Sequence, residues 1–241
     1  MLKFLERLAG RNLFVLSSYG PLIRVNFGDL TWNLAYLGYP SSRVIEEVRK
    51  LVSGDCFLDV GANLGIFSLV AADIVGADGL VVSFEPNRQV FEDLISNVNR
   101  SRHSCPVILL NQGIANQAEL VTLQYEATHT GGAYISDQAV PGKLVFVGPI
   151  ADLAFLDRLI GDRNIILKVD VEGAECGVIR SIFSSYLRSR IGKIIIEIDD
   201  SKLARFGESR QSLIQFLTSL GFHAQFGDSS EHYDEVFVKQ T

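Results

Sequence analysis

The sequence predicts an α/β fold built on a largely parallel sheet, and three observations carry that prediction. From residue 56 onward, short apolar strands alternate with segments of helical periodicity, the pattern of strand–helix–strand units. The strands are apolar throughout, as in Ile165-Ile166-Leu167 and Ile194-Ile195-Ile196, which marks strands covered by helices on both faces. Residues 57–65, FLDVGANLG, run from an apolar strand into a glycine-punctuated turn, and a second apolar run, LVVSF (80–84), ends in Glu85. The offset from Gly61 to Glu85 is 85 − 61 = 24 residues, close to the roughly 20 that separate glycine turn and acid in nucleotide-binding sheets. Such a layout suits an adenosine-containing ligand, because glycines let the backbone approach it and the acid accepts ribose hydroxyls.

In chain order, residues 1–40 are aromatic-rich and read as irregular, with turns at Tyr19-Gly20-Pro21, Gly28-Asp29 and Gly38-Tyr39-Pro40. Ser41-Ser42 is the expected N-cap of a helix on which Val44, Ile45, Val48, Leu51 and Val52 recur at helical spacing, closed by Gly54. Strands are expected at 56–60, 80–84, 107–111, 164–169 and 193–198. Helices are expected near 64–75, 87–99, 173–187 and 208–220. The end differs: Phe222 to Phe226 and Glu235 to Lys239 read as an antiparallel hairpin at the sheet edge, joined by a polar turn.

A chain of 241 residues that is 47% apolar fits one domain of this class. Its net charge of −6, without a Lys/Arg stripe, argues against a nucleic-acid partner. Cys56, Cys105 and Cys176 are odd in number and lack C-x-x-C spacing, so they read as buried thiols in a reducing compartment. Lys3, Glu6, Arg7 and Arg11 interrupt the first apolar stretch, which is not that of a signal peptide. No apolar run approaches the roughly 18 residues that span a bilayer. A soluble, cytoplasmic protein is expected, while oligomeric state is not encoded legibly.

A second constellation lies on the fourth strand of the sheet. Lys168 and Asp170 are two apart and share one strand face at its carboxyl end, where α/β sheets bind ligands. A lysine inside Ile-Ile-Leu-Lys-Val needs a partner or a water-filled cleft. Glu172 follows on the loop, and Glu175 falls in the first helical turn, where an acid also favours the helix dipole. With Glu197 at the next strand end, these carboxylates have the oxygen chemistry of a Mg²⁺ site, although no metal is expected. His129 and Tyr134, in HTGGAY (129–134), flank a Gly-Gly loop suited to a substrate wall or lid. His232 and Tyr233 sit in the terminal hairpin turn and carry less weight. Asn63 stands where G-x-G-x-x-G has its middle glycine, which disfavours a nicotinamide dinucleotide.

The segments DVGANLG (59–65), SFEPN (83–87) with Phe91 and Asn97, and ILKVDVEGAE (166–175) resemble the FkbM family of S-adenosylmethionine-dependent methyltransferases. The resemblance covers roughly residues 55–241 and implies the class I methyltransferase sheet, seven strands in the order 3-2-1-4-5-7-6 with the seventh antiparallel. Residues 1–50 match it less well and read as an N-terminal aromatic-rich extension and cap helix, ahead of a methyltransferase domain over 51–241. Many relatives carry a Gly-x-x-Glu segment before the domain; Tyr36-Leu37-Gly38-Tyr39-Pro40 lacks that acid. By the same resemblance, Asp59, Gly61, Asn63 and Gly65 would line the methionine end of S-adenosylmethionine, Glu85 would hold its ribose, and Asn111 or Gln112 would lie near its adenine. Family members commonly methylate hydroxyls of sugars, glycans and natural products, so O-methylation of a small-molecule or glycan acceptor is the expected activity. Asp170 would be the base, Lys168 would keep it ionised, and Glu172 could share its task. The alternative is a cofactor-binding module without turnover, against which the acids at the strand ends weigh.

Overall fold

The computed structural model describes residues 13–38, 43–126, 128–136, 143–227 and 230–240. The described residues begin with an antiparallel pair, β1 (Phe14–Leu16) and β2 (Leu22–Arg24). Helices α1 (Leu30–Leu37) and α2 (Arg43–Val48) follow. Residues 13–38 are therefore more regular than their pattern predicts. Asp29 does not merely mark a turn: its side chain accepts the Thr31 N–H and caps α1. Trp32 and Ala35 of that helix pack with Ile23 and Val25 against Leu64, Ile66 and Val90. That contact is tertiary, so a local pattern does not reveal it. The expected cap at Ser41-Ser42 lies outside the described residues, and α2 stops at Val48.

The core follows as β3 (Cys56–Val60), α3 (Ile66–Val75), β4 (Leu80–Phe84), α4 (Arg88–Arg100) and β5 (Val107–Leu110). An insertion comes next: β6 (Gly113–Ile114), β7 (Glu119–Glu126), β8 (His129–Ser136) and β9 (Leu144–Gly148). The chain then returns through α5 (Phe155–Ile160), β10 (Ile165–Val169), α6 (Glu175–Phe183) and β11 (Ile191–Asp199). It closes with α7 (Asp200–Leu203), α8 (Arg210–Ser219), β12 (Phe222–Ala224) and β13 (His232–Lys239).

The main sheet has seven strands in the order β5-β4-β3-β10-β11-β13-β12. Renumbered within the sheet this is 3-2-1-4-5-7-6, the class I methyltransferase order. The seventh strand, β13, runs antiparallel to β11, whereas β5, β4, β3, β10 and β11 pair in parallel. Side-chain alternation divides the core between its two faces. Leu58, Val82, Leu167 and Ile194 pack with Val178 and Ile179 of α6 and Leu213 and Leu217 of α8. Phe57, Val81, Ile166 and Ile195 pack with Val44, Ile45 and Val48 of α2 and Val70 and Ala71 of α3. Cys56, Cys105 and Cys176 are buried and unpaired. Among the described residues no helix is long and apolar enough to cross a membrane.

The insertion forms its own four-stranded sheet, β6-β9-β7-β8. The expected Gly-Gly loop at 129–134 is thus the edge strand β8, stabilised by pairing with β7 that overrides the turn preference of its glycines. The glycines still leave a mark. Gln124 opposes Tyr134 and Glu126 opposes His129, so residues 130–133 bulge out of the ladder.

The strand order reverses between β3 and β10, which are neighbours in the sheet but whose chains lead away to opposite sides. The loops after both strands meet there. Gly61 has φ +82°, and a Cβ on it would lie 1.9 Å from the Asp170 carbonyl oxygen. Gly61→Ala should therefore both strain the backbone and force the loops apart, costing at least about 2 kcal/mol. A urea unfolding midpoint equal to that of the unmutated chain would contradict this close approach.

Candidate active site

A cavity of about 450 Å³ opens at the carboxyl ends of β3, β4, β10 and β11. Its apolar lining includes Phe67, Phe84, Pro86, Ile114, Leu123, Ile135 and Val147, and its charged lining comes from Glu85, Lys168, Asp170, Glu172, Glu197, Lys202, His232 and Asp234. Thr31 and Leu34 of α1 and His129, Thr130 and Gly131 of β8 also line it.

The turn after β3 is tied to β4, since the Gly61 and Ala62 N–H groups donate to the Phe84 carbonyl at 3.0 and 2.9 Å. Asn63 adopts φ +51°, a left-handed conformation that Asn tolerates. Its N–H donates to Glu85 Oε2 at 2.9 Å, and the Asn87 N–H donates to Glu85 Oε1 at 2.8 Å. Burial raises the Glu85 carboxyl to about 7, with the two backbone donors pulling the other way. Each of its oxygens keeps an acceptor site, so the group can still receive a pair of donor hydroxyls from a ligand. A glycine-walled turn beside a buried carboxylate with spare acceptor sites fits an adenosyl group.

Other predicted residues are positioned differently. Gly65 does not line the cavity; a Cβ there would lie 2.3 Å from Leu94 Cδ1, so it is the close-contact point between α3 and α4. Asn111 donates through Nδ2 to the carbonyls of Glu85 and Pro86, at 2.8 and 3.2 Å, which pins the segment after β4. Neither Asn111 nor Gln112 lines the cavity, whereas the next residue, Gly113, does. Glu175 accepts the Val171 and Gly173 N–H groups and stabilises the loop before α6. Tyr134 is also outside the lining and lies under Arg205, whose guanidinium is 4.8 Å from the ring centre.

Lys168 is almost fully buried, and its ammonium group organises the floor. It donates to the Gly61 carbonyl at 2.8 Å and lies 3.3 Å from Asp59 Oδ1 and 3.5 Å from Asp170 Oδ2. Burial alone would discharge it, but the adjacent Asp59 and Asp170 carboxylates outweigh that and raise its pKa. Asp59 is beneath the cavity rather than on its wall, and its other oxygen accepts the Ser68 hydroxyl at 2.6 Å. Asp170 is the accessible member, with its side chain 39% exposed.

A second charged group surrounds Lys202. Its ammonium lies 2.7 Å from both Glu172 Oε2 and Glu197 Oε2. His232 lies 3.5 Å from Glu197 and 3.2 Å from Asp199. Burial, reinforced by the Asp170 charge, pushes Glu197 up to about 9, and burial likewise raises Glu172 and takes Asp234 to about 6. Oxygens of Asp170, Glu172 and Glu197 lie within 4.8 Å of one another, a spacing compatible with a metal ion. Lys202 already supplies positive charge to two of the three. The sequence reading missed Lys202, Asp234 and Thr31. Asp234 had a signal available in register, because it sits opposite Glu197 in the antiparallel β11–β13 ladder.

The Lys168 geometry separates folding from chemistry. Lys168→Met strands the Asp59 charge in the interior and should cost about 3–5 kcal/mol, whereas Asp170→Asn alters only the partly exposed partner, leaves Lys168 paired with Asp59, and should cost less than about 1 kcal/mol. Urea unfolding of the two variants checks this, and equal losses would contradict it.

The family model for the methyltransferase FkbM domain matches residues 59–224. None of the curated proteins compared with the chain matches it. Among solved structures, the S-adenosylmethionine-dependent O-methyltransferase of Thermotoga maritima shares 13% identity, over 95% of this chain and 78% of that one, at a TM-score of 0.48. The precorrin-6y C5,15-methyltransferase of Geobacter metallireducens shares 12%, over 85% and 91%, at 0.48. Aeropyrum pernix fibrillarin with bound S-adenosylmethionine shares 14%, over 78% and 67%, at 0.44. On the match over residues 59–224, the chain belongs to the FkbM family of S-adenosylmethionine-dependent methyltransferases.

Proposed function

We propose that this methyltransferase acts on a hydroxyl of a sugar, glycan or natural-product acceptor. One observation carries the reading: a partly exposed carboxylate, Asp170, stands beside a buried ammonium, Lys168, at the edge of the glycine turn. When bound, S-adenosylmethionine supplies an electrophilic methyl carbon on a sulfonium. The work left to the protein is to hold acceptor and methyl in line and to accept the hydroxyl proton. Glu85 accepts the ribose hydroxyls, while Gly61 and Asn63 let the turn approach the methionine end. Asn111 acts through Glu85 by fixing its backbone, and Gln112 adjoins Gly113 at the adenine side. Asp59 and Lys168 act from beneath, and Gly65 by fixing α3. Asp170 orients the acceptor hydroxyl and takes its proton; Glu172, steadied by Lys202, shares that task. His129 and Tyr134 belong to the strand that faces the acceptor.

Two predictions test this reading. Glu85→Ala should weaken S-adenosylmethionine binding at least about tenfold, since hydrogen bonds to a charged group contribute on the order of 1.5–3 kcal/mol each, and NAD should bind neither form. The carboxyl, raised to about 7 without ligand, has to lose its proton to accept both hydroxyls. Affinity should therefore fall as pH drops from 8 to 6, by up to about tenfold per unit below 7, and Glu85→Gln should flatten that profile. Calorimetry showing tight NAD binding to the unmutated chain would overturn the assignment of this site.

Catalysis is tested by mass-spectrometric detection of methyl gain on a panel of sugar and glycolipid acceptors. Asp170→Asn should lower turnover by about 10²–10⁴, the usual contribution of a general base, with much less effect on cofactor affinity. Turnover should also survive EDTA, because Lys202 meets the charge of Glu172 and Glu197. Near-full turnover in Asp170→Asn together with its loss in Glu172→Gln would move the base to Glu172.

A further inference from the structure

We propose that Asp29 and Thr31, at the start of α1, clasp β8 over the bound cofactor, and that this clasp has to open for ligand to enter or leave. The inference rests on reading the cavity as the cofactor site.

Four hydrogen bonds join the two segments. Asp29 Oδ1 accepts the Thr130 N–H at 3.2 Å, and Oδ2 accepts the Thr130 hydroxyl. Thr31 Oγ1 accepts the Gly131 N–H at 2.7 Å, and the Leu30 N–H donates to the Thr128 carbonyl at 2.7 Å. Asp29 and Thr31 are both buried, and two of these bonds are charge-assisted, so they are strong for their number. They join positions about a hundred residues apart, and Asp29 lies outside the matched segment 59–224.

The clasped strand lies directly on the glycine turn. A Cβ on Gly131 would sit 2.7 Å from Thr31 Oγ1 and 3.3 Å from Asn63 Nδ2. Glycine at 131 is what lets the strand come this close to both. His129, Thr130 and Gly131 all face the cavity. The far end of the same stretch is held by Arg205 on the Tyr134 ring.

The bulge makes this stretch separable from its own sheet. Residues 130–133 have no ladder partner on β7, which pairs at His129 and again at Tyr134. The backbone N–H groups of Thr130 and Gly131 are satisfied by α1 instead. Breaking the clasp therefore frees the strand over the cavity without unzipping β7 from β8. A segment tied down by a few polar bonds, flanked by fixed pairs, is the form taken by gating loops.

Trp32, the only tryptophan of the chain, follows Thr31 on α1 and stacks on Tyr36 with ring centres 5.1 Å apart, so its fluorescence reports on the clasp. Stopped-flow binding of S-adenosylhomocysteine, read through Trp32, tests the proposal. Thr130→Val keeps the shape of the side chain and the cap of α1 but removes the hydroxyl bond. It should speed association and release together, each at least fivefold, whereas loss of a mere ligand contact at this wall would speed release alone. Thr130→Ser, which restores the hydroxyl, should return both rates to those of the unmutated chain. Thr31→Val removes the Gly131 bond independently and should behave as Thr130→Val does. Rates within twofold of the unmutated chain in both valine variants, or a weaker Kd with slower association, would overturn the clasp. A failure of S-adenosylhomocysteine to bind the unmutated chain would instead overturn the cofactor reading, and the clasp with it.

Discussion

The site depends on one buried cation. Lys168 is held between the ends of β3 and β10, where parallel pairing aligns it with Asp59. An ammonium there is tolerable only because two carboxylates and a carbonyl surround it. The arrangement extends beyond the pair. Asp59 accepts from Ser68 on α3, and Ser68 shares a hydrogen bond with Ser83 on β4 at 2.8 Å. A continuous polar chain therefore runs from Asp170 through Lys168, Asp59 and Ser68 to Ser83, under the glycine turn and across three strands. Networks of this kind favour one arrangement of the groups around them, because each member left unpaired is costly. The close packing of Gly61 against the Asp170 carbonyl fixes the same two loops from above.

The charges of the cavity are balanced from within. Lys168 serves Asp59 and Asp170, and Lys202 serves Glu172 and Glu197. The carboxylates that remain poorly solvated respond by holding protons more tightly, Glu197 most of all. Burial thus divides the acids of one cavity into distinct kinds. Asp170 is accessible beside a cation, Glu172 and Glu197 are engaged with Lys202, and Glu85 is enclosed at the other side of the turn. The apolar residues of the small sheet, together with α1, cover what the main sheet leaves open. Thr31 and Leu34 of α1 consequently form part of the cavity wall, and Trp32 and Ile23 pack against Leu64 and Ile66 beside it.

The sequence by itself determined the sheet. Continuous apolar runs such as Ile165–Leu167 can be buried only between two layers, and the alternation of such runs with helices leaves few ways to connect them. The strands at 56–60 and 80–84 accordingly sit where the pattern put them, and the terminal hairpin lies at the edge. Glu85, Lys168 and Asp170 were legible as well, because a charge at the end of an apolar strand needs a partner and the pattern shows where that end is. Tertiary structure alone decided the rest. Whether 129–134 is loop or strand depends on β7 being available to pair with it, and α1 forms because its face is covered by α3 and α4, not because its own periodicity demands it. Asn111, Gln112 and Gly65 are close in sequence to the site, yet Asn111 turns to the backbone, Gly65 turns to Leu94, and Gln112 stays off the lining. Lys202, Asp234 and Thr31 reach the cavity from distant segments. Periodicity records which side of an element is buried; it does not record which distant side chain will be folded against it, and that contact decides what a cavity contains.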